Sequence, residues 1–246
     1  MQVTELSTSQ MRSVMALLFI GVLMGALDLS LIGPALPAIQ AEFALSGRQL
    51  SWLFNVYVLF QLVSVPLLAK LSDRHGRRSI YILSLALFAL GSLILITGPA
   101  AEYLLLGRAV QGFGAGGIFP VASAVIADTF PPEKRGGALG LMGAVFGLAF
   151  LIGPPMGGIF LQFAWEWLFL INIPIAAVLI VFAWRLLPGE GADSEAPFDL
   201  AGALFLSVAL ACLCIAVTNL DSADLAASLM SLDVAPWFAP GWPFTH

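Results

Sequence analysis

The chain has 246 residues, of which 60% are hydrophobic and 10% charged, with a net charge of −5. Soluble domains carry roughly 25% charged residues, so this composition excludes that class and points to an integral membrane protein. The net charge itself says little about partners, since its sign differs between the two sides of a membrane, and nucleic acid is not an expected one.

Taken in order, residues 1–12 form a polar cytoplasmic N-terminus whose first ten positions are expected to be disordered. The first apolar run, near 13–35, follows the single basic residue Arg12 and contains Asp28. Its layout is that of a signal peptide, but no clean small-residue cleavage site follows, so an uncleaved helix is expected. Further spans are expected near 50–69, 79–100, 103–126, 137–161, 167–186 and 200–220, since about 20 apolar residues cross about 30 Å of hydrocarbon. The runs are continuous rather than alternating, which favours helices over a barrel. The resulting fold class is all-α: a polytopic six-helix bundle over 13–186, a cytoplasmic linker at 187–199, a seventh helix at 200–220 and an extracytoplasmic tail at 221–246.

Basic residues fix the expected orientation. With the N-terminus inside, the inner side holds Arg12, Lys70, Arg74, Arg77, Arg78, Lys134, Arg135 and Arg185, and the outer side only Arg48. The densest charge is the turn Lys70-Leu-Ser-Asp73-Arg74-His75-Gly76-Arg77-Arg78, between the second and third runs. The outer ends are compact turns at Thr97-Gly98-Pro99 and Gln162 to Trp165, with Trp165 and Trp167 suited to the interface. A bacterial inner membrane is the expected location.

Few residues can carry chemistry. His75 and His246 are the only histidines, and Cys212 and Cys214 lie in an apolar run, so no metal site, cofactor or hydrolytic triad is expected and the chain reads as no enzyme. Asp28 lies ~10 Å in from the outer end of the first helix, and Arg108 ~8 Å in along the fourth, so the two can pair. A carboxylate at that depth costs about 2.5–3.5 kcal/mol on insertion scales, so it has either a task or a static partner. Arg108 and Gln111 are three apart and share a helix face. They either handle protons and substrate or form a buried polar link. Gly136, Gly140, Gly143 and Gly147 recur every three or four residues, as small residues do where helix backbones approach closely. Pro154 and Pro155 should kink the fifth helix near Gly153. Met24, Trp52, Asn55, Tyr57 and Gln61 are candidates for lining a large apolar cavity, or are plain packing.

Five segments carry a family resemblance. Ala69 to Arg78 resembles the loop signature of the major facilitator superfamily, with Ala69 in place of its first Gly. Arg108-Ala-Val-Gln111-Gly112-Phe-Gly114 resembles the fourth-helix motif R-x-x-Q-G-x-G. Gly143 and Gly147 through Gly153-Pro154-Pro155-Met-Gly157-Gly158 resemble the fifth-helix antiporter motif. Leu27-Asp28 with Ala35-Leu36-Pro37, and Trp165-Glu-Trp167-Leu-Phe169-Leu-Ile-Asn172-Ile-Pro174, resemble motifs of the fourteen-span drug:proton antiporter branch, with Glu166 where Arg is usual. The Pro197-Phe198-Asp199 entry to the seventh run is similar to that branch's linker helix. The resemblance implies an N-terminal half plus one linker helix, and proton-coupled efflux of small hydrophobic or cationic compounds by alternating access. It implies proton coupling by Asp28 and Arg108, and a substrate contact at Gln111. It assigns switching to Asp73, Arg74, Gly76, Arg77, Arg78 and Asp128, with Arg77 pairing to Asp128. In the fifth helix it assigns a leak-tight seal to Gly143, Gly147, Gly153, Pro154, Gly157 and Gly158. Membrane lipids, protons, a small-molecule substrate and a second half or further copy are the implied partners. The alternatives are a non-transporting half that needs a partner chain, and a facilitator that takes up another small metabolite.

Overall fold

A computed structural model describes residues 7–187 and 200–219. The linker at 188–199 and the tail at 220–246 lie outside the described residues, as do residues 1–6. Ser7 opens α1 (Thr8–Phe43) with a capping box: its hydroxyl accepts from Gln10 N–H, and Gln10 Oε1 accepts from Ser7 N–H. Residues 8–10, expected to be disordered, are therefore helical. The pattern Ser-x-x-Gln satisfies two N–H groups that the first turn leaves without partners. Ser46 and Gln49 repeat it at the start of α2 (Gly47–His75). Both boxes are visible in the sequence.

The charged turn is one residue long. Gly76 has φ 88° and ψ 142°, and α3 (Arg77–Thr97) begins directly after it. A Cβ is disfavoured in that conformation by about 1–3 kcal/mol. Gly76→Ala is therefore expected to lower the thermal midpoint in detergent, and an unchanged midpoint would contradict the assignment.

The remaining elements are α4 (Ala101–Thr129), α5 (Pro132–Phe160), α6 (Trp167–Leu170), α7 (Asn172–Leu186) and α8 (Leu200–Asn219). Pro132 starts α5 where a missing N–H costs nothing. The same residue type interrupts the sixth run: Pro174 cannot donate to the Leu170 carbonyl, and the helix is broken at Ile171 into α6 and α7. Among the described residues six segments are long and apolar enough to cross a membrane, with Trp167–Leu186 counted as one. Ala201–Cys214 is a shorter apolar helix among the described residues. Residues up to Ala211 form one compact unit and those from Cys212 a second, so the division falls within α8.

Within the first unit α4 is the inner helix. It packs closely against α3 and α2, while α1 packs on α5, and α7 lies against α3 and α1. Glycines permit this. A Cβ on Gly112 would stand 2.3 Å from the Tyr57 carbonyl oxygen of α2, and one on Gly114 2.6 Å from the Ser84 carbonyl oxygen of α3. In lipid no hydrophobic force draws apolar helices together, so close backbone contact takes over that role.

The fifth helix departs from expectation. Nothing lies within 4 Å of a Cβ placed on Gly136, Gly140, Gly143, Gly147 or Gly158. The buried side of α5 runs instead through Met142, Val145, Ala149, Gly153 and Gly157. Gly153 meets Ser30 and Gly157 meets Pro34, both on α1. The regular glycine spacing thus marks the exposed face. Pro154 and Pro155 both lie within α5, which runs on to Phe160.

Candidate functional site

One buried polar cluster joins α1, α2, α3, α4 and α7. Asp28 is 1% exposed and Arg108 and Gln111 are fully buried. Arg108 Nη1 donates to Asp28 Oδ2 at 2.6 Å and to Gln111 Oε1 at 2.7 Å. Gln111 Nε2 donates to Asp28 Oδ1 at 2.8 Å and to Ser92 Oγ at 2.9 Å. Asn172 Nδ2 reaches Asp28 Oδ1 at 3.1 Å. Arg108 Nε donates to the Leu53 carbonyl at 3.2 Å, and its guanidinium lies 4.1 Å from the Tyr57 ring centroid.

The helical register explains the convergence. Residues 108 and 111 are nearly one turn apart on α4, and Gly112 beside them lets α2 approach until Tyr57 covers the guanidinium. Gly91 does the same for α3, since a Cβ there would stand 2.4 Å from Gln111 N. The break at Ile171 sets Asn172 at the start of α7. Asn172 escaped notice as a site residue, although it is the sole polar side chain between Trp167 and Trp184. An intramembrane polar residue of that kind usually has a partner.

The chemistry is specific. Each contact to Asp28 comes from a donor: a guanidinium N–H and two amide NH2 groups. That all-donor set suits an ionised carboxylate, which only accepts. A protonated Asp28 has an O–H to place, and Gln111 or Asn172 must turn its amide, or the carboxyl must swing away, to accept it. Two neighbouring groups, Arg108 Nη2 and the Tyr57 hydroxyl, are buried without a hydrogen-bond partner among the described residues.

The other candidates scatter. Met24 is packed in the core, Tyr57 belongs to the Arg108 cluster, and Trp52, Asn55 and Gln61 are half-buried along α2. At the charged turn, Arg77 Nε donates to Asp128 Oδ2 at 2.9 Å and Nη1 to Ser72 Oγ at 2.7 Å, with Asp73 also paired to Arg77. Arg78 donates to the Trp184 carbonyl at 3.4 Å and lies over its ring. Arg74 is exposed on the last turn of α2. Trp165, expected at the interface, is 6% exposed. It donates to Glu42 Oε2 at 2.6 Å and meets Phe43 and Phe169 edge-on, whereas Trp167 remains outside.

Comparison with known proteins places these features. The sequence profile described as the Major Facilitator Superfamily matches residues 18–237. The chain is 40% identical over 221 residues to a Bacillus subtilis protein named Uncharacterized MFS-type transporter YfiU, covering 89% of this chain and 43% of that one. It is 34% identical over 218 residues to Multidrug resistance protein 3 of the same organism, covering 88% and 42%. The crystal structure of the human organic anion transporter MFSD10 (TETRAN) superposes with a TM-score of 0.66 at 23% identity, over 81% of this chain and 54% of the other. This chain therefore spans less than half the length of the two curated relatives.

Proposed function

We propose that this chain, which belongs to the Major Facilitator Superfamily, acts in proton-coupled export of small hydrophobic or cationic compounds. The carrying observation is the buried Asp28, held by Arg108, Gln111 and Asn172 in an arrangement that proton uptake must change. Arg108 balances the carboxylate, and Gln111 links it to α3 through Ser92. The name of a relative, Multidrug resistance protein 3, supports the substrate class. Alternating access then follows the family pattern, one six-helix unit rocking against another with substrate near the midplane.

In this reading Asp73, Arg74, Arg77, Arg78 and Asp128 form the cytoplasmic switch region, with Gly76 setting its turn. Of the proposed substrate contacts, Asn55 and Gln61 are half-buried on α2, whereas Met24 and Tyr57 are buried and would have to be uncovered to meet a substrate; Gly143, Gly147, Gly153, Pro154, Gly157 and Gly158 supply the α5 surface and its seat on α1. The N-terminus is cytoplasmic and α8 is the seventh span, which sets the tail outside.

The test is accumulation of a fluorescent cationic dye inside inverted membrane vesicles, whose outward face is the cytoplasmic one. An imposed proton gradient is expected to drive dye movement that a protonophore stops. Equal transport with the gradient collapsed would overturn proton coupling.

A second reading, a half that transports only with a partner, is favoured by the short coverage of the relatives. Blue-native electrophoresis with crosslinking separates the two readings. A strict monomer that still exports dye would exclude the need for a second six-helix unit.

A further inference from the structure

An apolar groove of about 590 Å³ lies between α1 and α7, away from the Asp28 cluster, bounded by Ser13 to Ile20 on one helix and Pro174 to Leu186 on the other. Its α7 wall runs for ~18 Å, close to the depth of one leaflet, which is half of about 30 Å. Ile20, Val178 and Phe182 face outward along it, 45–54% exposed. One end of the groove is charged. Arg12 lies one helical turn before Ala16 on the same stripe of α1, and Arg185 lies nearly one turn after Phe182 on α7. Ser13 and Leu186 both line that end, so the two arginines stand at a common level on opposite walls. Both are exposed, and neither has a hydrogen bond or ion pair to another described residue.

We infer that the groove is a binding site for an anionic phospholipid, with one acyl chain between α1 and α7 and the headgroup phosphate between Arg12 and Arg185. The two halves of the ligand match the two halves of the site. The apolar walls take methylenes, and two planar guanidinium groups offer paired N–H donors to phosphate oxygens. A zwitterionic lipid fills the same walls but also presents an ammonium to the two arginines. The site therefore selects by headgroup rather than by chain. The charged end belongs to the side that carries the chain's excess of basic residues, where anionic lipids attract juxtamembrane arginines.

The probe is native mass spectrometry of the chain released from nanodiscs holding equal phosphatidylglycerol and phosphatidylethanolamine. Phosphatidylglycerol is expected to be enriched about fivefold per arginine. Arg12→Gln with Arg185→Gln should remove the enrichment while leaving lipid bound. Val178→Trp, at an exposed position, should fill the groove and displace both lipids. Equal retention of the two lipids by the wild-type chain would overturn the assignment, as would enrichment that survives the double arginine substitution. Crosslinking from Ala16→Cys to a second polypeptide, with no lipid retained, would show that protein covers the groove and would overturn it too.

Discussion

Replacing Asp28 with Asn is expected to leave the helices folded and inserted while reducing proton-driven efflux to the level of empty vesicles. The shape is conserved and the hydrogen bonds survive in part, because Gln111 and Asn172 can turn their amides to match the new one. The negative charge does not survive. Arg108, fully buried, is left without its counter-charge, and breaking a buried pair in this way costs about 3–5 kcal/mol. The thermal midpoint should therefore fall, and adding Arg108→Gln should recover part of that fall, because the two changes share one interaction. Additive losses would mean that Asp28 and Arg108 act independently. Undiminished gradient-driven export by Asp28→Asn would remove Asp28 from proton coupling altogether.

The second large effect concerns backbone rather than charge. Gly112→Val is expected to prevent normal packing of α4 on α2. The added Cβ would stand 2.3 Å from the Tyr57 carbonyl oxygen and 2.9 Å from its carbonyl carbon and Cα, none of which can rotate away. Overpacking costs typically 1–3 kcal/mol, and here the helices themselves must separate. Separation would also lift Tyr57 and the Leu53 carbonyl from Arg108, so function should fail even in the fraction that folds. Gly143→Ala makes the contrast, since nothing lies within 4 Å of its Cβ. A helical Gly→Ala change in open space is worth about 0.5–1 kcal/mol of stability. Thermal midpoints in detergent should thus move in opposite directions for the two variants. A common direction would contradict the assignment of packing to α4 and an open face to α5.

How far these features could be read beforehand depended on whether the signal was local. Apolar runs and charged turns are local, and the six spanning helices fall close to where hydropathy places them. The Asp28–Arg108 pair also came from depth alone, because two helices of known direction put residues at comparable levels. The glycine pattern misled because spacing reports that a face is made of small residues, not which neighbour it meets. Gly136 to Gly147 have the regular period but no neighbour within 4 Å among the described residues, whereas Gly91, Gly107, Gly112, Gly114, Gly116 and Gly117 make close contacts. Asn172 was missed for a related reason. Its partner is 144 residues away in the chain, and the Pro174-linked break that sets its position is a weak mark inside an otherwise uniform run. Trp165 looked interfacial because its type prefers the headgroup level. Its burial follows from the carboxylate of Glu42, which α1 carries seven residues beyond the expected end of that helix.

The packing of α4 has a mechanical consequence. Glycine contacts weld α2, α3 and α4 into one block through backbone atoms, while α1 and α5 form a separate pair joined at Ser30, Gly153 and Gly157. Between block and pair, α1 and α4 touch only lightly, and the Asp28 side chain supplies the strongest bonds across that seam. The Asp28 bonds thus lie at a joint between the two groups of helices, so that any change in them would be felt on both sides of the seam.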